Sequence, residues 1–158
     1  MRISDFFICT IIMAVALTFG SCNRSTVFSQ YRHTSLMGWE KNDTLVFALQ
    51  PSKADVELKE IVGIRINDSY PFKAICLIVD QTIMPGNITT SDTVNWVLFD
   101  NYGNTKGRGI SSYQYNYHLK NNKLMKGDSL TVKIRHNMKR EIMPGISDIG
   151  IKLERVNF

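Results

Sequence analysis

Residues 130–135 read Leu-Thr-Val-Lys-Ile-Arg, and this alternation of apolar and polar side chains decides the fold class. Successive side chains of a β-strand point to opposite faces, so the three apolar residues share one face and the three polar residues share the other. Such a strand has one face in a core and the other in water. Residues 113–119 and 149–154 repeat the pattern, which indicates a sheet.

Seven segments of the chain are rich in β-branched and aromatic residues and are bounded by Gly, Pro, Asn or Asp. No segment shows a long helical stripe. Seven or eight strands at this spacing predict an all-β fold, a two-sheet antiparallel sandwich of Ig-like or jelly-roll-like type. The predicted strands are Thr44–Leu49, Val56–Ile66, Ala74–Thr82, Thr93–Phe99, Gln114–Leu119, Leu130–His136 and Ile149–Val156.

Two short features refine this prediction. Residues 74–79 are apolar on both faces, which is typical of a central strand. The tetrapeptide Ile-Met-Pro-Gly occurs at 83–86 and again at 142–145. Because Pro and Gly suit the two central positions of a type II turn, both copies predict such a turn.

The N-terminus carries a different signal. Residues 6–19 form a 14-residue apolar run, whereas a membrane-spanning helix needs roughly 20 apolar residues. A run of this length is typical of a secretory signal, and the small residues Gly20 and Ser21 then precede Cys22. Small-small-Cys after such a run is the pattern of a bacterial lipobox, in which the cysteine is acylated. An ordinary signal peptide or an N-terminal membrane helix with an incidental cysteine is the alternative.

These signals divide the chain into a lipoprotein signal peptide (1–21), a lipid anchor and tether (22–40) and a β-sandwich domain (41–158). The mature chain would keep two cysteines, Cys22 and Cys76. If Cys22 carries lipid, it cannot form a disulfide with Cys76. Cys76 lies in an apolar run and is predicted to be a small buried side chain.

The charge is uneven along the chain. Residues 22–105 hold 7 basic and 9 acidic residues, a net of −2, whereas residues 106–158 hold 11 and 4, a net of +7. An exported protein does not normally meet nucleic acid, so no nucleic-acid partner is predicted. The basic half then faces anionic lipid, an acidic partner or only water.

The sequence contains few of the patterns that are typical of catalytic or ligand-binding sites. The three histidines are far apart, and the nucleophile-elbow, P-loop and dinucleotide glycine patterns are absent. The glycine-rich segment 101–109 follows a strand without opening a helix, which favours a flexible loop over a phosphate site. The sequence therefore predicts no catalytic residue, no metal, no cofactor and no small-molecule substrate.

Two surfaces remain candidates for binding. Tyr113, Tyr115 and Tyr117, together with Trp96, form either a glycan-stacking platform or one face of the core. The segment 136–145 ends a strand and turns at Pro-Gly into the last one, and it holds His136, Lys139 and Arg140. It is either a plain hairpin or a basic tip that docks an acidic partner. These three residues are the predicted partner-binding residues.

Three blocks of the chain carry a family resemblance. The first is Val27-Phe28 with Tyr31, Gly38-Trp39 and Asp43 to Phe47, and the second is Tyr70-Pro71-Phe72 with Leu77. The third is His136 to Arg140, running through Pro144-Gly145-Ile146 and Asp148 to Ile151 to Glu154. Together with the lipobox, these blocks resemble the family of the gliding-motility lipoprotein GldH of Bacteroidota. The resemblance covers nearly the whole mature chain, and residues 88–126 match least.

The resemblance implies an envelope lipoprotein without known enzymatic activity, an accessory or scaffold component associated with gliding and with the linked type IX secretion machinery. Its partners would be the membrane, through Cys22, and other envelope proteins. No acidic cluster follows Cys22, where the chain reads Asn-Arg-Ser-Thr. Lipoproteins that bacteria of this phylum send to the cell surface usually carry such a cluster just after the cysteine. Its absence predicts a periplasm-facing protein on the outer membrane. The alternative function is a lipid-anchored glycan- or ligand-binding module.

Overall fold

The computed structural model describes residues 25–156 as an all-β protein. Within this range ten strands form and no helix does, and every pairing between strands is antiparallel. The strands are β1 (Thr26–His33), β2 (Trp39–Glu40), β3 (Leu45–Leu49), β4 (Val56–Asn67), β5 (Ala74–Met84), β6 (Ile88–Val97), β7 (Ser112–Leu124), β8 (Ser129–His136), β9 (Ile142–Met143) and β10 (Ile146–Arg155).

Eight of these strands form two four-stranded sheets, with the orders β1-β10-β4-β7 and β3-β8-β5-β6, and β2 and β9 form a separate two-stranded ribbon. The predicted two-sheet antiparallel sandwich is confirmed. Of the two predicted types, the strand order is that of a jelly roll, in which successive strands pass repeatedly from one sheet to the other.

The core lies between the two sheets and follows the alternation read from the sequence. In β8 the side chains of Leu130, Val132 and Ile134 are buried, while Lys133 is exposed. β5 lies between β8 and β6, which confirms the central position predicted from its apolar faces. Cys76, on the outer face of β5, is half-buried and its thiol is free.

The sandwich has two ends. The start of β1 and the loops 50–55, 85–87 and 125–128 lie at one, which we call the near end. The residues 34–38, 68–73, 98–111 and 137–145 lie at the other, the far end. β1 runs between the two ends, and its eight residues span about 25 Å at ~3.3 Å per residue.

The predicted tether over 22–40 differs from the structure. Its described part contributes β1, an edge strand paired with β10, and Trp39 of β2 is fully buried. An edge strand exposes much of its surface, so only part of it needs to be apolar. The polar composition of this segment therefore predicted a tether although the segment forms a strand.

The two Pro-Gly turns also differ from each other. Gly145 has φ of +76°, as the third position of a type II turn requires. In the other copy the Met84–Pro85 peptide is cis, and the positive φ falls on Asn87, at +49°, rather than on Gly86. The prediction of a type II turn at 83–86 is therefore wrong.

Candidate functional site

His136 closes the strand β8 at the far end, and its side chain points into the protein. It is 1% exposed, and its ring meets that of Trp39 edge-on at 5.2 Å between centroids. His136 Nε2 donates a hydrogen bond to the Trp39 carbonyl oxygen at 3.1 Å, and burial lowers the pKa of His136. The prediction that His136 contacts a partner is therefore wrong, because the residue holds the β2–β9 ribbon against the sandwich.

Lys139 and Arg140, the other two predicted partner-binding residues, are exposed at the tip of the same segment. They line a groove of about 520 Å³ together with Phe72, Asn137 and Met138. The Cys76 backbone N–H donates to Met138 Sδ at 3.3 Å, which fixes the floor of this groove. The tip thus combines two cationic side chains with an apolar floor.

The loop between β1 and β2 presents two large apolar side chains to water. Leu36 is 105% exposed and Met37 86%. They occupy the centre of a tight turn in which the Gly38 N–H donates to the Ser35 carbonyl at 2.9 Å and the Met37 N–H donates to Ser35 Oγ at 3.2 Å. Gly, Pro, Asn, Asp and Ser dominate turn centres, so two exposed apolar residues at the centre of this turn are unusual.

This turn, which we call the Leu36–Met37 turn, adjoins the segment 136–145, which we call the basic hairpin. Gly38 has φ of +112°, and a Cβ on it would lie 2.6 Å from Ile142 Cγ2. Ile142 is itself exposed on β9, next to Glu141 and Arg140. The Lys41 N–H donates to the Glu141 carbonyl at 2.8 Å. The far end therefore carries a surface with apolar and basic side chains, which we call the far-end surface; it comprises Leu36, Met37, Lys139, Arg140 and Ile142. The sequence analysis did not predict this surface, because it assigned residues 22–40 to a tether.

The aromatic stripe does not form a glycan-stacking platform. Tyr115 is buried, and Tyr113 and Tyr117 are half-buried against the core. The ring of Trp96 is tilted by 83° to that of Tyr115 and by 54° to that of Tyr117. A platform needs exposed ring faces in one plane, whereas these rings fill the space between β6 and β7. The core reading of the stripe is the correct one.

A polar cluster lies inside the sandwich between β4, β5 and β7. Glu60 is 0% exposed, and Asn122 Nδ2 donates to Glu60 Oε2 at 2.7 Å and to Gln81 Oε1 at 3.0 Å. Within the described residues, Glu60 Oε1 and Gln81 Nε2 have no hydrogen-bond partner. Burial raises the pKa of Glu60 to about 7, against the opposing effect of Lys120. Such a group is closed off from substrate, and its effect is on stability.

Among residues 25–156, no group of three His, Cys, Asp or Glu side chains is placed to hold a metal ion. The same part of the chain contains no helix long and apolar enough to cross a membrane. Cys22, the predicted lipidation site, lies outside the described residues, and its acylation stays a prediction.

Comparison with known proteins places the chain. The family model described as GldH lipoprotein matches residues 26–153. The chain belongs to the GldH lipoprotein family. A curated relative, the gliding motility lipoprotein GldH of Flavobacterium johnsoniae, is 25% identical over 153 residues, which cover 92% of this chain and 94% of the relative. The GldH resemblance read from the sequence is thus confirmed, and with it the association of the family with gliding motility.

The GldH-family chain also has distant likenesses among solved structures. A family GH115 4-O-methyl-alpha-glucuronidase gives a TM-score of 0.47 at 14% identity, over 87% of this chain and 18% of that one. The Cry4Aa toxin of Bacillus thuringiensis gives 0.47 at 10% identity, over 82% and 21%. Eiger TNF from S. frugiperda gives 0.30 at 14% identity, over 85% and 94%. The chain spans about a fifth of the first two structures, and none of these likenesses carries a functional argument.

Membership in a lipoprotein family makes the chain a membrane-anchored protein of the cell envelope. The family match begins at Thr26, after Cys22, and includes the basic hairpin and the Leu36–Met37 turn. The far-end surface therefore lies within the residues that the family model matches.

Proposed function

We propose that the protein is a non-enzymatic accessory or scaffold subunit of the envelope machinery for gliding motility and the linked type IX secretion, anchored through acylated Cys22. Its family supports the anchoring and the motility association. The Flavobacterium johnsoniae relative is named as a motility lipoprotein and not as an enzyme. Multiple acyl chains anchor a protein stably where a single chain does not, so Cys22 serves attachment.

The observation that carries the proposed binding role is the far-end surface. Two apolar side chains at the centre of a hydrogen-bonded turn are presented to water, beside the cationic Lys139 and Arg140. Apolar anchors surrounded by charged side chains are typical of protein–protein contacts. The partner is an envelope protein with an acidic, partly apolar docking segment.

We further propose that the protein faces the periplasm on the outer membrane. The residues after Cys22 read Asn-Arg-Ser-Thr and contain no acidic cluster. Protease added to intact cells should leave the protein whole, and protease added after the outer membrane is permeabilised should digest it. Ready digestion in intact cells would place it on the cell surface and refute the proposal.

The binding role is tested by in-cell crosslinking followed by purification and mass spectrometry. Two double variants of the full chain are compared with wild type: Lys139→Glu with Arg140→Glu, and Leu36→Ser with Met37→Ser. Each should lose the crosslinked motility or secretion components while keeping its membrane fraction. Matched controls are Lys133→Glu on β8 and Val46→Ser on β3, both exposed and away from the far end.

Retention of the same crosslinked partners by both double variants would reject the far-end surface. A wild-type sample rich in glycan-uptake proteins and free of motility components would favour the ligand-binding alternative. Circular dichroism of each purified variant checks that the sandwich is intact.

A further inference from the structure

The near end of the sandwich carries exposed large apolar side chains from several segments. Met84 and Ile88 flank the 85–87 loop, and Met125 lies in the 125–128 loop; Ile88 is 59% exposed and Met125 61%. Met84 pairs with Ser129 across the sheet, so these two loops are neighbours. The apolar side chains therefore share one end face and are not scattered over the surface.

An apolar groove opens at the same end. Its volume is about 700 Å³, and it lies between the loop 50–55 and the start of β1. The Gly127 N–H donates to the Ser52 carbonyl at 2.8 Å, which joins this loop to the 125–128 loop. The apolar residues that line the groove include Val27, Leu49, Pro51, Val56 and Val156.

At this end, acidic side chains are bound to the backbone, whereas basic side chains are exposed to water. Asp55 Oδ1 accepts the Lys126 N–H at 2.8 Å, and Asp128 Oδ2 accepts the Met125 N–H at 2.9 Å. These bonds hold both carboxylates against the loop backbone. Lys53 and Lys126 are exposed beside them, and an ammonium group at this position suits lipid phosphate, which attracts basic side chains near a membrane surface.

The distance to the anchor completes the argument. Cys22 lies four residues before Thr26, the first residue of β1. A chain spans at most ~3.5 Å per residue, so β1 starts no more than about 14 Å from the lipid-bearing residue. The near end therefore lies close to the residue that would carry the lipid, whereas the far end is separated from it by the length of β1.

We propose that the near end is a membrane-seating surface, with Ile88 and Met125 in the headgroup region of the bilayer and Lys53 and Lys126 against lipid phosphates. This inference rests on the proposed acylation of Cys22. Apolar side chains of interfacial segments settle at the boundary between headgroups and acyl chains. The seating orients the Leu36–Met37 turn and the basic hairpin toward the periplasmic space.

The test uses the mature lipidated protein, purified from membranes and reconstituted in vesicles of zwitterionic lipid with a minor anionic fraction. In a Cys76→Ala background, single cysteines are introduced as Ile88→Cys and Met125→Cys at the near end. Leu36→Cys and Val46→Cys serve as controls at the far end and on the sheet. Each carries an environment-sensitive dye, and the vesicles contain a lipid quencher at the headgroup boundary.

The near-end dyes should shift to shorter wavelength and be quenched at least about twofold more than the dye at position 36. Equal quenching at positions 88, 125 and 36, with the protein still floating with the vesicles, would overturn the seating but leave the anchor standing. A wavelength shift without lipid quenching would indicate contact with a second copy and would also overturn it. Failure to float, with an unmodified Cys22 by mass spectrometry, would overturn both the seating and the proposed anchoring.

Discussion

Replacement of Glu60 by Gln should stabilise the protein at neutral and alkaline pH. Burial raises the pKa of the Glu60 carboxyl from 4.5 to about 7, so the folded protein prefers the protonated form. The difference of roughly 2.5 pKa units, at 1.36 kcal/mol per unit, corresponds to about 3 kcal/mol. Gln keeps the shape and carries no charge, which removes this cost of ionisation.

The sign of the pH dependence follows from proton binding. Below pH 4.5 the carboxyl is protonated in both states, and this stabilising contribution is fully present. Between 4.5 and about 7 the unfolded chain has released the proton and the folded protein has kept it, so stability falls as pH rises. Above about 7 both states are ionised, and no further loss occurs.

Urea unfolding followed by circular dichroism, at steps from pH 5 to 9, measures the effect. The free energy of unfolding of Glu60→Gln, minus that of wild type, should grow with pH and level off above pH 7. Glu57→Gln, a half-buried position on the same strand, is the matched control for replacing one carboxylate by an amide. A pH-independent difference for Glu60→Gln would mean that Glu60 is solvated or ion-paired, and that burial does not raise its pKa.

Two further predictions concern a turn and the anchor. Gly145→Ala should cost about 2–4 kcal/mol, because φ is +76° and a Cβ would lie 2.3 Å from the Tyr70 nitrogen. Gly127→Ala, at φ +93° with no atom within 4 Å, should cost only about 1 kcal/mol in the same thermal unfolding assay; equal costs would contradict the clash. Cys22→Ala should move the protein from the membrane to the soluble fraction and block acyl labelling, and unchanged fractionation would show that Cys22 is not the anchor.

The strands that could be predicted from the sequence are those in which apolar and polar residues alternate within the segment itself. β8 was predicted from Leu130 and ends at His136 as expected, because one full face of it is apolar. β7 was predicted to end at Leu119 but continues to Leu124. Its last residues include Asn122, whose side-chain amide donates hydrogen bonds to Glu60 and Gln81 on other strands. A partner that is distant in sequence cannot be read from the segment itself.

β1 was missed for a similar reason. Tyr31 packs over Gly150 of β10 and close to Gly63 of β4, where a Cβ would lie 2.6 Å and 2.3 Å from the tyrosine ring and its hydroxyl. Its ring also receives the Arg65 guanidinium at 4.1 Å. These contacts join β1 to β10 and β4, and the three strands meet only after folding. The far-end surface had a readable signal, two apolar residues where a turn expects polar ones, but it lay in a segment read as a tether.

The place of β1 in the sheet also determines how the protein would bear mechanical force. With the anchor before Thr26 and a partner at the far end, a pull between membrane and partner runs along the strand axis. β1 is paired with β10 over seven residue positions, and the backbone hydrogen bonds between the two strands lie across that direction. They would therefore be loaded together in shear rather than opened one after another, so β1 would resist a pull between the proposed anchor and the proposed partner.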